Sequence, residues 1–269
     1  MKTMIFNGCN FTANKEKDLK LSVAKLKKKG ITPKLAVIYV GNNPASDIYL
    51  RKKKESAGKV GCKLELKKLT QNVSTNRIID TIEKSNKDKG VNGVMVQLPL
   101  PKKFSNKDNV KIINSINKEK DVDGMRDDSL YISPVVKAVI YILKEAFISL
   151  PLRCNPCKVV VVGHTGFEGG EIYRALKEMG YDVEGADIKT KDLKRETHSA
   201  DVIISVTGVP NLIKESMVKE GCVLIDVGAP DGDVEENAYK KARFVSPVPR
   251  GIGPVTVVSL LENLVEACV

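Results

Sequence analysis

Along the 269-residue chain, short apolar runs alternate with longer polar stretches of helical period. The runs at 35–40, 64–69, 93–98, 159–163, 182–186, 202–206 and 223–227 predict strands. The stretches at 45–59, 76–84, 107–116, 167–179 and 213–219 predict helices. Strand alternating with helix implies βαβ units and a parallel sheet. There are two such series, separated by an apolar helical stretch at 133–147 and the break Ser149-Leu150-Pro151. The pattern therefore predicts an α/β chain with an N-terminal α/β domain, a connecting helix and a C-terminal dinucleotide-type fold. A last long helix is expected at 255–267, after a turn at 247–254.

Composition refines this picture. Hydrophobic residues make up 42% of the chain, aromatics only 5%, and Trp is absent, so the core must be built from Val, Ile and Leu. Those side chains suit strands buried on both faces. No apolar run approaches the ~20 residues that cross a bilayer, and residues 1–19 carry no secretory pattern. A cytoplasmic protein without a membrane partner is expected.

Six cysteines are present, and only Cys154 and Cys157 form a CxxC pair. With His164 and His198 the only histidines, no metal site is expected, and the thiols read as reduced. The net charge of +11 is mostly lysine. Lys27–Lys29 and Lys52–Lys54 lack the interleaved aromatics of a single-strand binder. The charge reads as a solvated surface that attracts anionic substrates, and no nucleic-acid partner is expected.

The second series opens with Val159-Val-Val-Val-Gly163, followed by His164-Thr165-Gly166-Phe167-Glu168-Gly169 and a helix. A glycine-rich turn between strand and helix lets backbone N–H groups approach a pyrophosphate. The spacing is G-x-x-G-x-x-G, and a tight turn with no ligand is the alternative. Asp187 ends the next strand 18 residues past Gly169, where a carboxylate can accept from ribose hydroxyls. A helix-capping role is its alternative. Two further strands end in Thr207-Gly208-Val209-Pro210 and Asp226-Val227-Gly228-Ala229, small residues that leave room for a cofactor.

In the first series Ser46, Tyr49 and Lys53 fall at i, i+3 and i+7 of a predicted helix, with Tyr49 and Lys53 on one face. A lysine beside a ring that stacks on a flat heterocycle suits acid–base chemistry; a solvated lysine run is the alternative. Downstream come Gln97-Leu98-Pro99-Leu100-Pro101, Lys120-Asp121-Val122-Asp123-Gly124 and Pro247-Val248-Pro249-Arg250-Gly251-Ile252-Gly253-Pro254-Val255-Thr256.

Together these segments resemble the bifunctional methylenetetrahydrofolate dehydrogenase/methenyltetrahydrofolate cyclohydrolase family over about 33–267. The resemblance implies two α/β domains flanking a cleft. A three-layer folate-binding domain would span 1–145, with a C-terminal helix at 254–269 packing back on it, and a Rossmann-like NAD(P)-binding domain would span 146–253. It also implies a homodimer. Carried over by position, Lys53 is the catalytic lysine, Gln97 its hydrogen-bonding partner, Tyr49 the ring stacked on folate and Asp123 the carboxylate gripping the pterin edge. Leu98, Pro99, Pro249, Arg250 and Gly251 fall in substrate-binding segments. Ser133, Gly163, His164, Thr165, Gly169, Asp187, Thr207, Gly208, Val227, Ala229, Gly253 and Thr256 fall in cofactor-binding segments.

Departures from the family pattern cluster on the cofactor side. Tyr131-Ile132-Ser133-Pro134 replaces a PCTP-like segment, Gly163-His164-Thr165 replaces G-R-S, and Asp187-Ile188 replaces a histidine–serine pair. Losing an arginine and gaining a carboxylate disfavours a 2′-phosphate, so NAD is expected over NADP; a phosphate site rescued by Lys189 and Lys191, close by in sequence, is the alternative. Arg250 stands where glycine is usual, and Glu168 where valine is. The expected function is oxidation of 5,10-methylenetetrahydrofolate with NAD(P), followed by hydrolysis to the 10-formyl compound. A monofunctional enzyme or a non-catalytic folate- or nucleotide-binding paralogue is the alternative.

Overall fold

The computed structural model describes residues 2–150 and 157–269. Cys154 lies outside the described residues, and Cys157 is disulfide-bonded where a reduced thiol was expected; Cys9, Cys62, Cys222 and Cys268 are free.

In chain order the elements are β1 (Met4–Ile5), α1 (Gly8–Lys28), β2 (Lys34–Val40), α2 (Pro44–Val60), β3 (Lys63–Leu69), α3 (Thr75–Lys87), β4 (Gly93–Val96) and α4 (Asn106–Ile113). Then follow α5 (Pro134–Ser149), β5 (Lys158–Val162), α6 (Phe167–Glu178), β6 (Asp182–Ala186), α7 (Leu193–Ser199), β7 (Val202–Ser205), β8 (Val223–Asp226), β9 (Phe244–Ser246) and α8 (Ile252–Glu266). The chain divides into two units, Met1–Thr12 with Val135–Thr256, and Ala13–Pro134 with Val257–Val269. Residues 1–12 and 135–145 thus group with the Rossmann-like unit, whereas the resemblance assigned them to the folate domain.

The smaller sheet has the order β3-β2-β4, all parallel, with Leu35 opposite Leu64 on one side and Gly93 on the other. Residues 35–40 of β2 are buried, which is why the strand reads as an unbroken apolar run. Leu19, Val23 and Leu26 of α1 recur at helical spacing and bury against this unit's core, together with Leu260, Leu261 and Leu264 of α8. Ser74 caps α3, and Ser105 and Asp108 form a reciprocal capping box on α4.

The larger sheet has the order β1-β9-β8-β7-β5-β6, again parallel. Its central strands carry Val and Ile that are wholly buried. Two short strands, β1 and β9, pair Met4 with Phe244; their two- and three-residue lengths give no periodic signal. The helix expected at 213–219 is not formed. Ile213 instead bridges Val234 inside the core, and only a single 3₁₀ turn, Glu215–Met217, follows. The apolar spacing there reflects burial of a loop. Among the described residues, no helix is long and apolar enough to cross a membrane.

Candidate functional site

In both sheets the chain reverses its direction of winding, and ligands bind at the carboxyl ends of strands flanking such a reversal. In the smaller sheet that point lies between β2 and β4. After β2 the chain turns at Gly41, whose φ of 88° suits glycine, and Asn43 Oδ1 accepts from Ser46 N at 3.3 Å to start α2. One turn of α2 separates Tyr49 from Lys53. On the other side of the reversal, Gln97 extends β4 by donating its N–H to Ile38 O at 2.9 Å.

The two elements converge on one contact. Lys53 Nζ donates to Gln97 Oε1 at 3.1 Å and lies 3.8 Å from Met95 Sδ. Gln97 Nε2 donates to Leu98 O at 2.7 Å, which fixes the amide with its oxygen toward the lysine. Desolvation raises the Asp123 carboxyl above the usual carboxylate range, and the Lys53 charge pulls it back. The turn carrying Asp123 is held by the buried Asp121, which accepts from Arg126 N at 3.0 Å. Gly124 completes it, because a Cβ there would lie 2.7 Å from Ser133 N. Tyr49 is half-buried, its hydroxyl raised by desolvation, with the Lys52 ammonium 5.8 Å from its ring centre. An amine, an amide and a partly desolvated carboxylate are thereby assembled beside an aromatic ring, a set suited to proton transfer on a flat heterocycle.

In the larger sheet the reversal lies between β5 and β7. Gly163 ends β5 with φ 93°, and a Cβ there would meet Val206 O at 2.7 Å. A Cβ on Gly169 would fall 2.2 Å from Gly163 O, so only glycine lets α6 approach the strand end. Gly166 starts α6 without any side-chain cap, leaving the N-terminus open to an anion. Glycines where backbone must come close, an uncapped helix start and open space at Gly208 together fit a dinucleotide. The His164 ring turns inward: Nδ1 lies 3.2 Å from Ala186 O, the ring packs on Tyr173, and a Cβ on Gly185 would strike it. Thr165 is exposed. Asp187 Oδ1 accepts from Lys189 N at 2.8 Å while its own N–H donates to Thr190 Oγ1 at 2.8 Å, which presents a partly exposed carboxylate at the end of β6.

Residues 6–123 match the tetrahydrofolate dehydrogenase/cyclohydrolase catalytic domain, and residues 133–269 match the NAD(P)-binding domain of the same proteins. The chain belongs to the tetrahydrofolate dehydrogenase/cyclohydrolase family. It is 35% identical over 284 aligned residues to the bifunctional protein FolD of Staphylococcus aureus, covering 99% of this chain and 97% of that one. The Campylobacter jejuni bifunctional FolD structure is 34% identical, covers 99% of each chain and superposes with a TM-score of 0.90. The Trypanosoma brucei dehydrogenase–cyclohydrolase, solved with NADP and an inhibitor, is 26% identical, covers 100% of this chain and 98% of that one, and gives 0.91.

Other segments of the family pattern are distributed between the units. Ser133 is buried in the unit of the three-stranded sheet, behind Gly124. Pro249, Arg250 and Gly251 belong to the unit of the six-stranded sheet, where Gly8 N donates to Arg250 O at 2.8 Å and Gly251 N to Pro247 O at 2.9 Å. Arg250 adopts φ 77°, a left-handed conformation unusual for a residue with a side chain. Gly253 has open space where a Cβ would point, and Thr256 Oγ1 donates to Ile252 O at 3.2 Å. Thr207, Gly208, Val227 and Ala229 follow directly on β7 and β8. Sequence reading missed what stands behind them: Ser205, Asp226 and Asp233 are fully buried. The available signal was a carboxylate closing the otherwise apolar strand Val223–Asp226. Among the described residues, no three acidic, cysteine or histidine side chains are placed to hold a metal.

Proposed function

We propose that this protein oxidises 5,10-methylenetetrahydrofolate to the 5,10-methenyl compound with a nicotinamide dinucleotide and then hydrolyses it to 10-formyltetrahydrofolate. The observation that carries the reading is the Lys53–Gln97 hydrogen bond of 3.1 Å at the winding reversal of the smaller sheet, with Asp123 within reach of the Lys53 charge. Tyr49 offers a face for the pterin, with Leu98 and Pro99 in the adjoining segment. Asp123 pairs with its amino-pyrimidine donors, and desolvation makes such a pairing stronger.

In the hydrolysis, Lys53 in its uncharged amine form takes a proton from water as the water oxygen bonds to the methenyl carbon and the C=N π pair moves onto nitrogen. The carbinol O–H then releases its proton to solvent as the C=O forms and the C–N5 bond breaks, and N5 takes its proton from Lys53, leaving the formyl group on N10. Gln97 holds the lysine in place for both proton movements. The dinucleotide, when bound, supplies the hydride acceptor. Gly163, Gly166 and Gly169 admit its pyrophosphate to the start of α6, and Thr207, Gly208, Val227 and Ala229 border it at the next strands.

NAD is the proposed cofactor. The Asp187 carboxylate repels a 2′-phosphate, and the inward His164 ring leaves no cation at the position of the usual arginine. Two assays test the reading. Purified protein is expected to speed the loss of 5,10-methenyltetrahydrofolate absorbance without any dinucleotide, and its kcat/KM is expected to favour NAD over NADP. Hydrolysis at the spontaneous rate removes the cyclohydrolase, and a clear preference for NADP removes the Asp187 argument.

A further inference from the structure

Strand β8 ends its apolar run on Asp226, and both Asp226 and Asp233 are 0% exposed. A buried carboxylate is costly unless its oxygens are satisfied. Asp226 is satisfied entirely by backbone: Oδ1 accepts from Gly228 N at 2.9 Å and Asp233 N at 3.0 Å, and Oδ2 accepts from Val234 N at 3.0 Å. The side chain thereby closes the loop 228–234 on itself.

Asp233 faces the neighbouring strand end. Its Oδ2 accepts from Ser205 Oγ at 2.8 Å, Thr207 N at 2.6 Å and Thr207 Oγ1 at 2.9 Å. Thr207 Oγ1 in turn accepts from Val209 N at 3.1 Å. Backbone bonds from Asn211 N to Gly232 O and from Ile213 N to Asp233 O zip the two loops together. The packing tolerates no side chain at two points. A Cβ on Gly228 would lie 2.0 Å from Asp233 Oδ1, and one on Gly232 would lie 2.9 Å from Asp226 Oδ2. No ion pair to either carboxylate occurs among the described residues. Two adjacent buried acids without a cation are an expensive way to hold a loop, and such arrangements persist where a fixed geometry is needed.

We propose that Asp226 and Asp233 are positioning residues that fix the loops after β7 and β8 in the conformation the dinucleotide requires. This rests on the reading of Thr207, Gly208, Val227 and Ala229 as cofactor contacts. Neither acid belongs to the unit that carries Lys53.

The two acids respond differently to amide substitution. Asp226→Asn must turn an NH₂ group against a backbone N–H whichever way it rotates, because both oxygens accept. Asp233→Asn keeps its one working oxygen on Ser205 and Thr207. Steady-state kinetics of both activities, with thermal melting, therefore test the proposal. Asp226→Asn is expected to raise the dinucleotide KM about tenfold or more, reflecting a buried acceptor lost to a charged-group hydrogen bond. Dehydrogenase kcat falls with it, cyclohydrolase stays within about twofold, and Asp233→Asn shows a smaller rise. A folded Asp226→Asn with an unchanged dinucleotide KM, or with cyclohydrolase falling in step, overturns the proposal. If Asp226→Asn does not fold, Ser205→Ala decides: it removes one donor to Asp233, a rise of about two- to tenfold is expected, and no change overturns the proposal. Wild-type protein that neither binds nor reduces a dinucleotide overturns the cofactor reading and this proposal with it; wild-type turnover with unchanged variants overturns this proposal alone.

Discussion

Around Lys53 the proposed chemistry rests on side chains: an amine, an amide 3.1 Å away and a carboxylate within reach of the lysine charge, carried by one helix, one strand end and one turn. Around Gly163 the proposed cofactor site rests on backbone: glycines bring a strand end and a helix start together, and the carboxylates of Asp226 and Asp233 accept from the loops nearby. Both sites occupy the winding reversal of a parallel sheet, so the fold provides the same kind of location twice. The contrast follows from what each site must do. Moving a proton needs a titratable group at a fixed distance, whereas holding a pyrophosphate needs only N–H groups that can approach it.

Four substitutions separate the two regions. The largest effect is expected from Lys53→Ala, which should cut cyclohydrolase turnover by about 10²–10⁴-fold, the usual worth of a positioned acid–base group. Folate binding should largely remain, and retained hydrolysis would take Lys53 out of the mechanism. Gly169→Ala comes next. Its new Cβ would sit 2.2 Å from Gly163 O, so α6 must move. Dinucleotide affinity should drop by at least about tenfold, as expected for a lost helix-terminus approach, and calorimetric titration that finds wild-type affinity would contradict the assigned turn.

Smaller effects test finer points. Asp187→Ser should improve NADP relative to NAD by a few-fold to about tenfold, since a like charge beside the 2′-phosphate is removed. Unchanged ratios of kcat/KM would move the selectivity elsewhere. Burial raises the Asp226 carboxyl from 3.8 to about 6, with the Asp233 charge adding to the rise; Tyr239 nearby is pushed to about 12. The folded chain therefore takes up a proton between about pH 4 and pH 6 that the unfolded chain does not. The stability from this group is complete below about pH 4 and is lost as pH rises through about 6. Asp226→Asn removes that dependence. The wild-type lead over the variant in urea unfolding should thus be greater at pH 5 than at pH 7.5 by about 1 kcal/mol, and a constant gap would place the Asp226 titration outside this window.

Much of the fold was legible because its central strands are buried on both faces. The apolar runs at 35–40, 159–163, 202–206 and 223–227 coincide with β2, β5, β7 and β8 to within one residue at either end. Elements set by distant contacts were not legible. Strands β1 and β9 exist because Met4 meets Phe244 across the chain, and no local pattern announces that pairing. Residues 213–219 carried helical spacing because Ile213 and Val218 are buried in the core, although only a 3₁₀ turn forms there. The Lys53–Gln97 contact was readable as motif segments in order. The Asp226–Asp233 device was not, since its meaning lies in hydrogen bonds between two loops about twenty residues apart.

The most direct measurement mixes the purified protein with 5,10-methylenetetrahydrofolate and NAD, then follows reduced cofactor and the methenyl intermediate by absorbance. Reduced cofactor is expected to accumulate while the methenyl signal rises and then decays to the 10-formyl product, with a slower reaction when NADP replaces NAD. Absence of turnover with either dinucleotide, in protein that still binds folate, would contradict the proposed function.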